Sequence, residues 1–223
     1  MPEPVKPRRS YESPRRREQA DATRRAILDA ARLRFERDGY VATTIAAIAE
    51  EAQVSAKTVY TAFETKSGVL RALWHLLLRG DEDERPVGER GWFQEVLDEP
   101  DPERQLRLNA RNARRVKSRA GAMLGVIRDA AAVDADAAAL WARIESDFHA
   151  NQGAVVASID AKEALRPGLG TERATDVLWT LNHPDVWLLL AGRGWTPEEF
   201  ESWFADASCA ELLGPSVSSP AAG

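Results

Sequence analysis

The hydrophobic residues of this chain recur every three or four positions, and this spacing predicts a succession of helices. The first predicted helix spans 21–38, where Ile27, Leu28, Ala31 and Phe35 form one stripe and Gly39 follows as a stop signal. Further helices are predicted at 44–52, 56–63, 66–80, 102–118, 120–132, 134–162, 171–191 and 197–213. No strand-like alternation occurs, so we expect an all-α fold of about nine helices.

The stretch 39–70, GYVATTIAAIAEEAQVSAKTVYTAFETKSGVL, places two short amphipathic helices on either side of a tight turn. Thr43 or Thr44 is suited to cap the first helix, and Ser55 is suited to cap the second. Two short helices joined by a turn of three or four residues are typical of the helix-turn-helix, whose second helix enters the DNA major groove. The pattern therefore predicts double-stranded DNA as a partner.

The same stretch closely resembles the tetracycline-repressor (TetR) family of bacterial regulators. The resemblance covers about residues 20–75 and rests on Gly39-Tyr40, Thr43-Thr44, Ile48-Ala49, Val54-Ser55, Thr58-Val59-Tyr60, Phe63, Lys66 and Leu70. Gln53 departs from the pattern, since the family usually has a glycine there, and glycine suits a positive φ in the turn. Ala62 is a second departure, at a position where many members carry an aromatic residue or histidine.

Several residues of the motif are candidates for DNA contact. At the start of the first helix, the hydroxyl and free backbone N–H groups of Thr44 suit a phosphate. Lys57 faces the groove as a guanine-reading donor, or is simply solvated. By resemblance, Tyr60 and Lys66 hold backbone phosphate, while Ala56 and Thr61 suit a thymine methyl group. The DNA-binding set is Thr44, Ser55, Ala56, Lys57, Thr58, Tyr60, Thr61 and Lys66, although Ser55 is first a cap and Thr58 could bond back to its own turn.

The net charge of −5 is unevenly distributed along the chain. Residues 1–70 hold 13 Lys/Arg and 10 Asp/Glu, whereas the remainder holds 17 and 25. A basic head on an acidic body favours approach to phosphate at one end, although chance variation in surface charge is the alternative. The basic segment 1–19 lacks an apolar face and is predicted to be a disordered tail that either follows the DNA backbone or stays solvated.

Composition excludes several other classes of protein. A single cysteine, Cys209, rules out a disulfide framework, and no apolar run reaches the length of a membrane span, so a cytoplasmic protein without membrane contact is expected. The three histidines are far apart, which argues against a metal site. No phosphate-binding loop or nucleophile motif occurs, and Gly121 and Gly125 are interpreted as helix-packing positions. We therefore expect no enzyme, no catalytic residue and no cofactor.

The last two predicted helices are apolar on more than one side, which indicates a second covered face. Self-association would cover it, and the resemblance implies the same, since family members dimerise through their last helices. The homodimer interface is predicted at Leu178, Leu181, Trp187, Leu188, Phe200, Trp203 and Phe204. The alternative is burial by the chain itself.

The resemblance also implies a small-molecule effector bound among the middle helices, where it would alter the separation of the two DNA heads. The candidate ligand-binding residues are Trp74, Arg111, Met123, Ile127, Arg128, Trp141, Phe148, Trp179 and His183, with Ile144, His149 and Asn182 as further candidates. Taken singly, each aromatic residue is better explained as part of the core than as a ligand contact.

Four segments follow from these patterns: a disordered tail at 1–19, a DNA-binding domain at 20–66, an effector-binding and dimerisation domain at 67–214, and a disordered end at 215–223. The function predicted is a dimeric regulator, by family default a repressor, released from a palindromic operator by a small molecule. The alternative is a helical ligand-binding protein or enzyme whose N-terminal helices only pack.

Overall fold

The computed structural model describes residues 14–79 and 87–214. Within these ranges the chain forms ten α-helices, one short 3-10 helix at Val87–Glu89 and no strand, which confirms the all-α prediction. In chain order the helices are α1 (Pro14–Ala42), α2 (Ile45–Glu51), α3 (Ala56–Phe63), α4 (Lys66–Arg79), α5 (Gly91–Asp98), α6 (Pro102–Ala131), α7 (Ala135–Asp160), α8 (Thr171–Leu181), α9 (Pro184–Ala191) and α10 (Pro197–Leu212). None of them is long and apolar enough to cross a membrane.

Helix α1 is longer than the sequence pattern indicated. It begins at Pro14, a residue that suits the first helical position, so the prediction of disorder is wrong for residues 14–19. The rest of that tail, like 215–223, lies outside the described residues. Gly39 kinks α1 with a φ of 74° and a ψ of 171°, and the last turn of the helix continues beyond it to Ala42.

Helix α6 is the central element of the C-terminal helices α5–α10, which we call the body. It is one continuous helix of 30 residues, whereas the sequence analysis divided it into 102–118 and 120–132. No proline or cap interrupts it at Arg119, so the helical hydrogen bonds continue through that point. Helices α1, α4, α5, α7, α9 and α10 all pack against α6.

The predicted helix 171–191 is in fact two helices. Helix α8 ends at Leu181, and α9 begins at Pro184. Proline has no N–H to continue the ladder, and it drives the preceding residue out of the helical region, as the ψ of 142° at His183 shows. Helix α5 was not predicted at all.

The buried residues form two hydrophobic clusters. The first joins the helices α1–α4 to the near ends of α6 and α7, for example through Phe35, Leu70, Met123 and Ile127. The second lies at the far end of the body and includes Phe93, Leu178 and Phe200 among others. Because the first cluster is continuous, the N-terminal helices share a core with the body.

Candidate DNA interface and ligand cavity

Helices α2 and α3 form the helix-turn-helix that the sequence predicted. The hydroxyl of Thr44 accepts a hydrogen bond from the Ala47 N–H at 3.1 Å, and the hydroxyl of Ser55 accepts one from the Thr58 N–H at 3.1 Å. Both caps were predicted from the sequence. Gln53 in the turn has a φ of 54°, the left-handed conformation that a glycine would adopt more readily.

Helix α3 presents one polar face to solvent. Val59 and Phe63 are buried against the other helices, whereas Lys57, Tyr60 and Thr61 are exposed. This is the arrangement that a recognition helix requires, since the exposed side chains are held on a helix braced from behind.

The remaining motif residues are partly occupied by local hydrogen bonds. Thr61 donates to the Lys57 carbonyl at 2.8 Å, and the Thr58 hydroxyl is 2.8 Å from that of Ser55. Thr58 therefore bonds back to the cap residue of its own turn, the alternative that the sequence left open. Thr44 is exposed at the start of α2, and Ala56 is half-buried at the start of α3.

Lys66 points into the protein. Its ammonium donates to the carbonyls of Tyr40 at 2.8 Å and Thr43 at 3.0 Å, and it lies 4.1 Å from the centre of the Tyr40 ring. Burial lowers the pKa of Lys66, and Asp134 opposes that shift. Lys66 therefore supplies hydrogen-bond donors to main-chain carbonyls at the end of α1.

The helix-turn-helix is tied to the body at the start of α7. The Tyr40 hydroxyl donates to Asp134 at 2.5 Å, and the Ser67 hydroxyl donates to Asp136 at 3.1 Å. Burial raises the pKa of Tyr40, and the hydrogen bond to Asp134 adds to the effect. Asp134 also caps α7, so one carboxylate joins α1 to the first turn of α7.

The predicted ligand-binding residues do not share one site. Trp74, Met123, Ile127 and the further candidate Ile144 belong to the first hydrophobic cluster. Trp141, His183, Trp179 and the further candidate His149 form a row of edge-to-face rings whose successive centroids are 4.8–6.5 Å apart, and Trp141 packs against the edge of the first cluster. His183 also caps α9, with its Nδ1 accepting the Asp185 N–H.

The two predicted arginines both lie in ion pairs, and neither lines the cavity described below. Arg111 lies 3.8 Å from Glu201, and Arg128 donates to Asp185 at 2.6 Å. Their positions on α6 turn them towards acidic residues of α10 and α9.

A cavity of about 50 Å³ lies between α5, α6 and α7, and Phe148 is the one residue of the predicted ligand-binding set that lines it. Asn182, a further candidate, lines it too, together with Lys117, Asn109, Asn112, Gln152, Trp92 and Phe93. The sequence analysis missed Lys117. A signal was present, since Lys117 continues the inward stripe of Ala110, Ala113 and Ala120 on α6.

The predicted dimer residues divide into two groups. Leu178, Trp187, Phe200 and Phe204 are buried within the single chain, which corrects the prediction that they meet a second copy. Their apolar faces are covered by α6 and by each other. Leu181, Leu188 and Trp203 keep part of their surface exposed, and Leu189 beside them is 70% exposed.

The comparisons with known proteins agree with this geometry. Residues 27–73 match the family model described as bacterial regulatory proteins, tetR family. None of the curated proteins matches the chain significantly.

Solved structures share the fold over nearly the whole chain. NalD, the secondary repressor of the MexAB-OprM multidrug efflux pump in Pseudomonas aeruginosa, has a TM-score of 0.65 and 21% identity, covering 88% of this chain and 98% of its own. The SmeT–triclosan complex has a TM-score of 0.66 and 19% identity, covering 90% and 96%; SmeT represses the multidrug efflux pump SmeDEF of Stenotrophomonas maltophilia. A TetR regulator from Haloarcula marismortui has a TM-score of 0.64 and 18% identity, covering 86% and 100%.

The structure has a helix-turn-helix with an exposed second helix, followed by a helical C-terminal body. The match of residues 27–73 to the tetR family model confirms the resemblance predicted from the sequence. At these identities the solved structures establish the shared fold alone.

Proposed function

We propose that this chain is a homodimeric repressor that binds a palindromic DNA operator and is released from it by a small molecule. The observation that carries the proposal is the exposed face of α3, where Lys57, Tyr60 and Thr61 project from a helix that packs against α2 and α4. Lys57 is positioned to read base edges, and Tyr60 and Thr44 to contact phosphate. A DNA partner places the protein in the cytoplasm.

The dimer is supported by exposed apolar side chains along α9 and α10. Leu189 and Trp195 are exposed, and the Trp195 ring meets that of Trp203 edge-on at 6.1 Å. A second copy docked on this surface would cover it and would present two α3 helices to one duplex. The operator would then be palindromic, with half-sites separated by whole helical turns.

The effector role is supported by the cavity and by the junction at Tyr40. The cavity and the junction lie along the same helices, α6 and α7, so a ligand that shifts these helices changes the position of α1. SmeT, which shares the fold, has been solved with triclosan bound.

Selection of binding sites from random DNA duplexes tests the central proposal. We expect the purified chain to enrich a palindrome, with an affinity that falls linearly with salt on a log–log plot by about 0.9 for each phosphate contacted. Tyr60→Ala should weaken selected and random DNA alike. Binding without sequence enrichment, or no stronger than that of an unrelated acidic protein, would favour the alternative in which the N-terminal helices only pack.

A further inference from the structure

Lys117 is a lysine in the interior of the body. Its side chain is 1% exposed, and its ammonium donates to the Asn182 carbonyl at 2.8 Å and to the Asn182 side-chain oxygen. The rings of Phe148 and Phe200 have their centroids 5.6 and 5.3 Å from the nitrogen. All of these partners are neutral.

Among residues 14–79 and 87–214, no carboxylate pairs with this ammonium. Burial lowers the pKa of Lys117 to about 7, and no acidic group acts in the opposite direction. Among the described residues that line the cavity, Lys117 is the only one that ionises. A buried ammonium without a counter-ion is unfavourable, so a negative charge placed beside it would be stabilised strongly.

Two hydrogen-bond donors remain available at the cavity. An ammonium has three N–H bonds, and Asn182 accepts only two of them. The oxygen of the buried Gln152 amide accepts from Asn109 at 3.1 Å, while its nitrogen has no partner within the described chain. Two donors on one cavity match the two oxygens of a carboxylate.

Aromatic side chains also line the cavity, namely Trp92, Phe93 and Phe148, beside the amide groups of Asn109, Asn112 and Asn151. Its volume of about 50 Å³ holds on the order of four water molecules. That space suits a carboxylate group and the first atoms of a flat or short apolar body.

We propose that this cavity binds a compact organic carboxylate, whose oxygens accept hydrogen bonds from Lys117 Nζ and Gln152 Nε2 and whose apolar body contacts the aromatic wall. The binding of a carboxylate is argued from the cavity alone. Only the further step, that this carboxylate is the effector, rests on the proposed function.

The first experiment compares acids with their neutral amides. Acetate, butyrate and benzoate, and the amides of the same three acids, are titrated into the full chain by calorimetry without DNA. At least one carboxylate should bind about 10-fold or more tightly than its amide. If every amide binds as well as its acid, the charge has no role and the proposal is overturned.

Two lysine variants test whether the preference for acid over amide arises at Lys117. Lys117→Met should reduce the preference for acid over amide to about 1. Lys162→Met is the matched control, because Lys162 is also partly buried and bonds Glu99 and Gln105 but does not line the cavity. A preference that survives in Lys117→Met, or disappears in Lys162→Met, contradicts the assignment.

The pH dependence tests the native chain even if Lys117→Met does not fold. Above pH 7, an anion must bind together with a proton that Lys117 has lost, so affinity should weaken about 20-fold between pH 7.5 and 9.0. The ionisable residues beside the partners of Lys117 in the chain are His149, which pairs with Asp176, and His183, which lies near Glu145 and Asp185. A flat profile would overturn the proposal.

Release of operator DNA is measured separately. A carboxylate that binds through Lys117 without affecting DNA supports the cavity assignment and contradicts the effector role. Release by other compounds, with no preference for any acid over its amide, leaves the proposed function in place and overturns the carboxylate inference.

Discussion

Lys117 of α6 donates a hydrogen bond of 2.8 Å to the main-chain carbonyl of Asn182, the residue that follows the last residue of α8. That carbonyl lies where Pro184 prevents α8 and α9 from forming one helix. The break in the helix therefore supplies the acceptor that holds the lysine at the cavity.

The buried charge of Lys117 predicts a pH-dependent stability. Its pKa is about 7 in the folded chain, against 10.5 for an ordinary solvated lysine, so protonation favours the unfolded state. The stability that this group contributes is full above pH 10.5 and is lost as pH falls towards 7. Relative to Lys117→Met, the native chain should gain about 3 kcal/mol in unfolding free energy between about pH 7.0 and 9.5.

Denaturant unfolding at a series of pH values measures this difference. Lys57→Met, at an exposed position of α3, serves as the control and should follow the native profile. Parallel profiles for the native chain and Lys117→Met would show that the lysine carries no buried charge.

Substitution of either of two glycines of α6 by alanine should change stability, in opposite directions for the two positions. A Cβ on Gly121 would lie 2.4 Å from Nε1 of the buried Trp187 ring, whereas a Cβ on Gly125 would lie 3.6 Å from Leu188. Gly121→Ala should destabilise the chain by about 1–3 kcal/mol because the rigid ring must move. Gly125→Ala should stabilise it by up to about 1 kcal/mol, since alanine favours a helix.

Thermal unfolding of the two variants makes the comparison directly. Both glycines were interpreted as helix-packing positions. For Gly121 this is confirmed, because α6 packs closely against Trp187 of α9 at that point. A stabilised Gly121→Ala would mean that Trp187 is packed less tightly than the structure shows.

Substitution of Lys66 should lower both stability and DNA affinity, whereas substitution of Lys57 should lower base preference. Lys66→Ala removes the ammonium from the Tyr40 and Thr43 carbonyls, so unfolding free energy should fall by about 1–3 kcal/mol and DNA affinity should fall for all sequences alike. Lys57→Ala should change stability by less than about 0.5 kcal/mol. It should relax base preference at one or two positions of the operator.

Melting curves and binding to operator and random duplexes separate the two roles. Equal losses on both kinds of DNA for Lys57→Ala would remove it from base reading. An unchanged melting temperature for Lys66→Ala would argue against its role at the end of α1.

The dimer is tested at Leu189. Leu189→Asp places a charge on the exposed apolar surface, where it should shift the chain to monomers in sedimentation without unfolding it, because the side chain is already 70% exposed. Leu33→Asp, at a leucine of α1 that is 57% exposed, is the matched control and should remain dimeric. An unchanged mass for Leu189→Asp would exclude this surface as the interface.

The helix-turn-helix was predictable because its determinants are local. Ser55 and its partner Thr58 are three residues apart, and the apolar spacing within 56–63 already indicated which side of α3 is buried. The positive φ at Gln53 was likewise visible, as the place where the usual glycine is replaced.

Other features were local but overlooked. Pro184 was available as a signal that 171–191 could not be one helix, and Lys117 interrupts an alanine stripe that otherwise marks a buried face. In both cases a single residue departs from a strong periodic pattern of apolar positions.

The sequence by itself determined the all-α class and the two helices of the helix-turn-helix, because caps and periodic apolar residues act over three or four positions. The tertiary structure decided which apolar faces meet the chain itself and which remain open. Phe200 and Leu189 are both apolar residues on C-terminal helices, yet one is buried and the other exposed. It also decided that Lys117, Gln152 and Asn182 line one cavity, since their meeting depends on how α6, α7 and the break after α8 pack together.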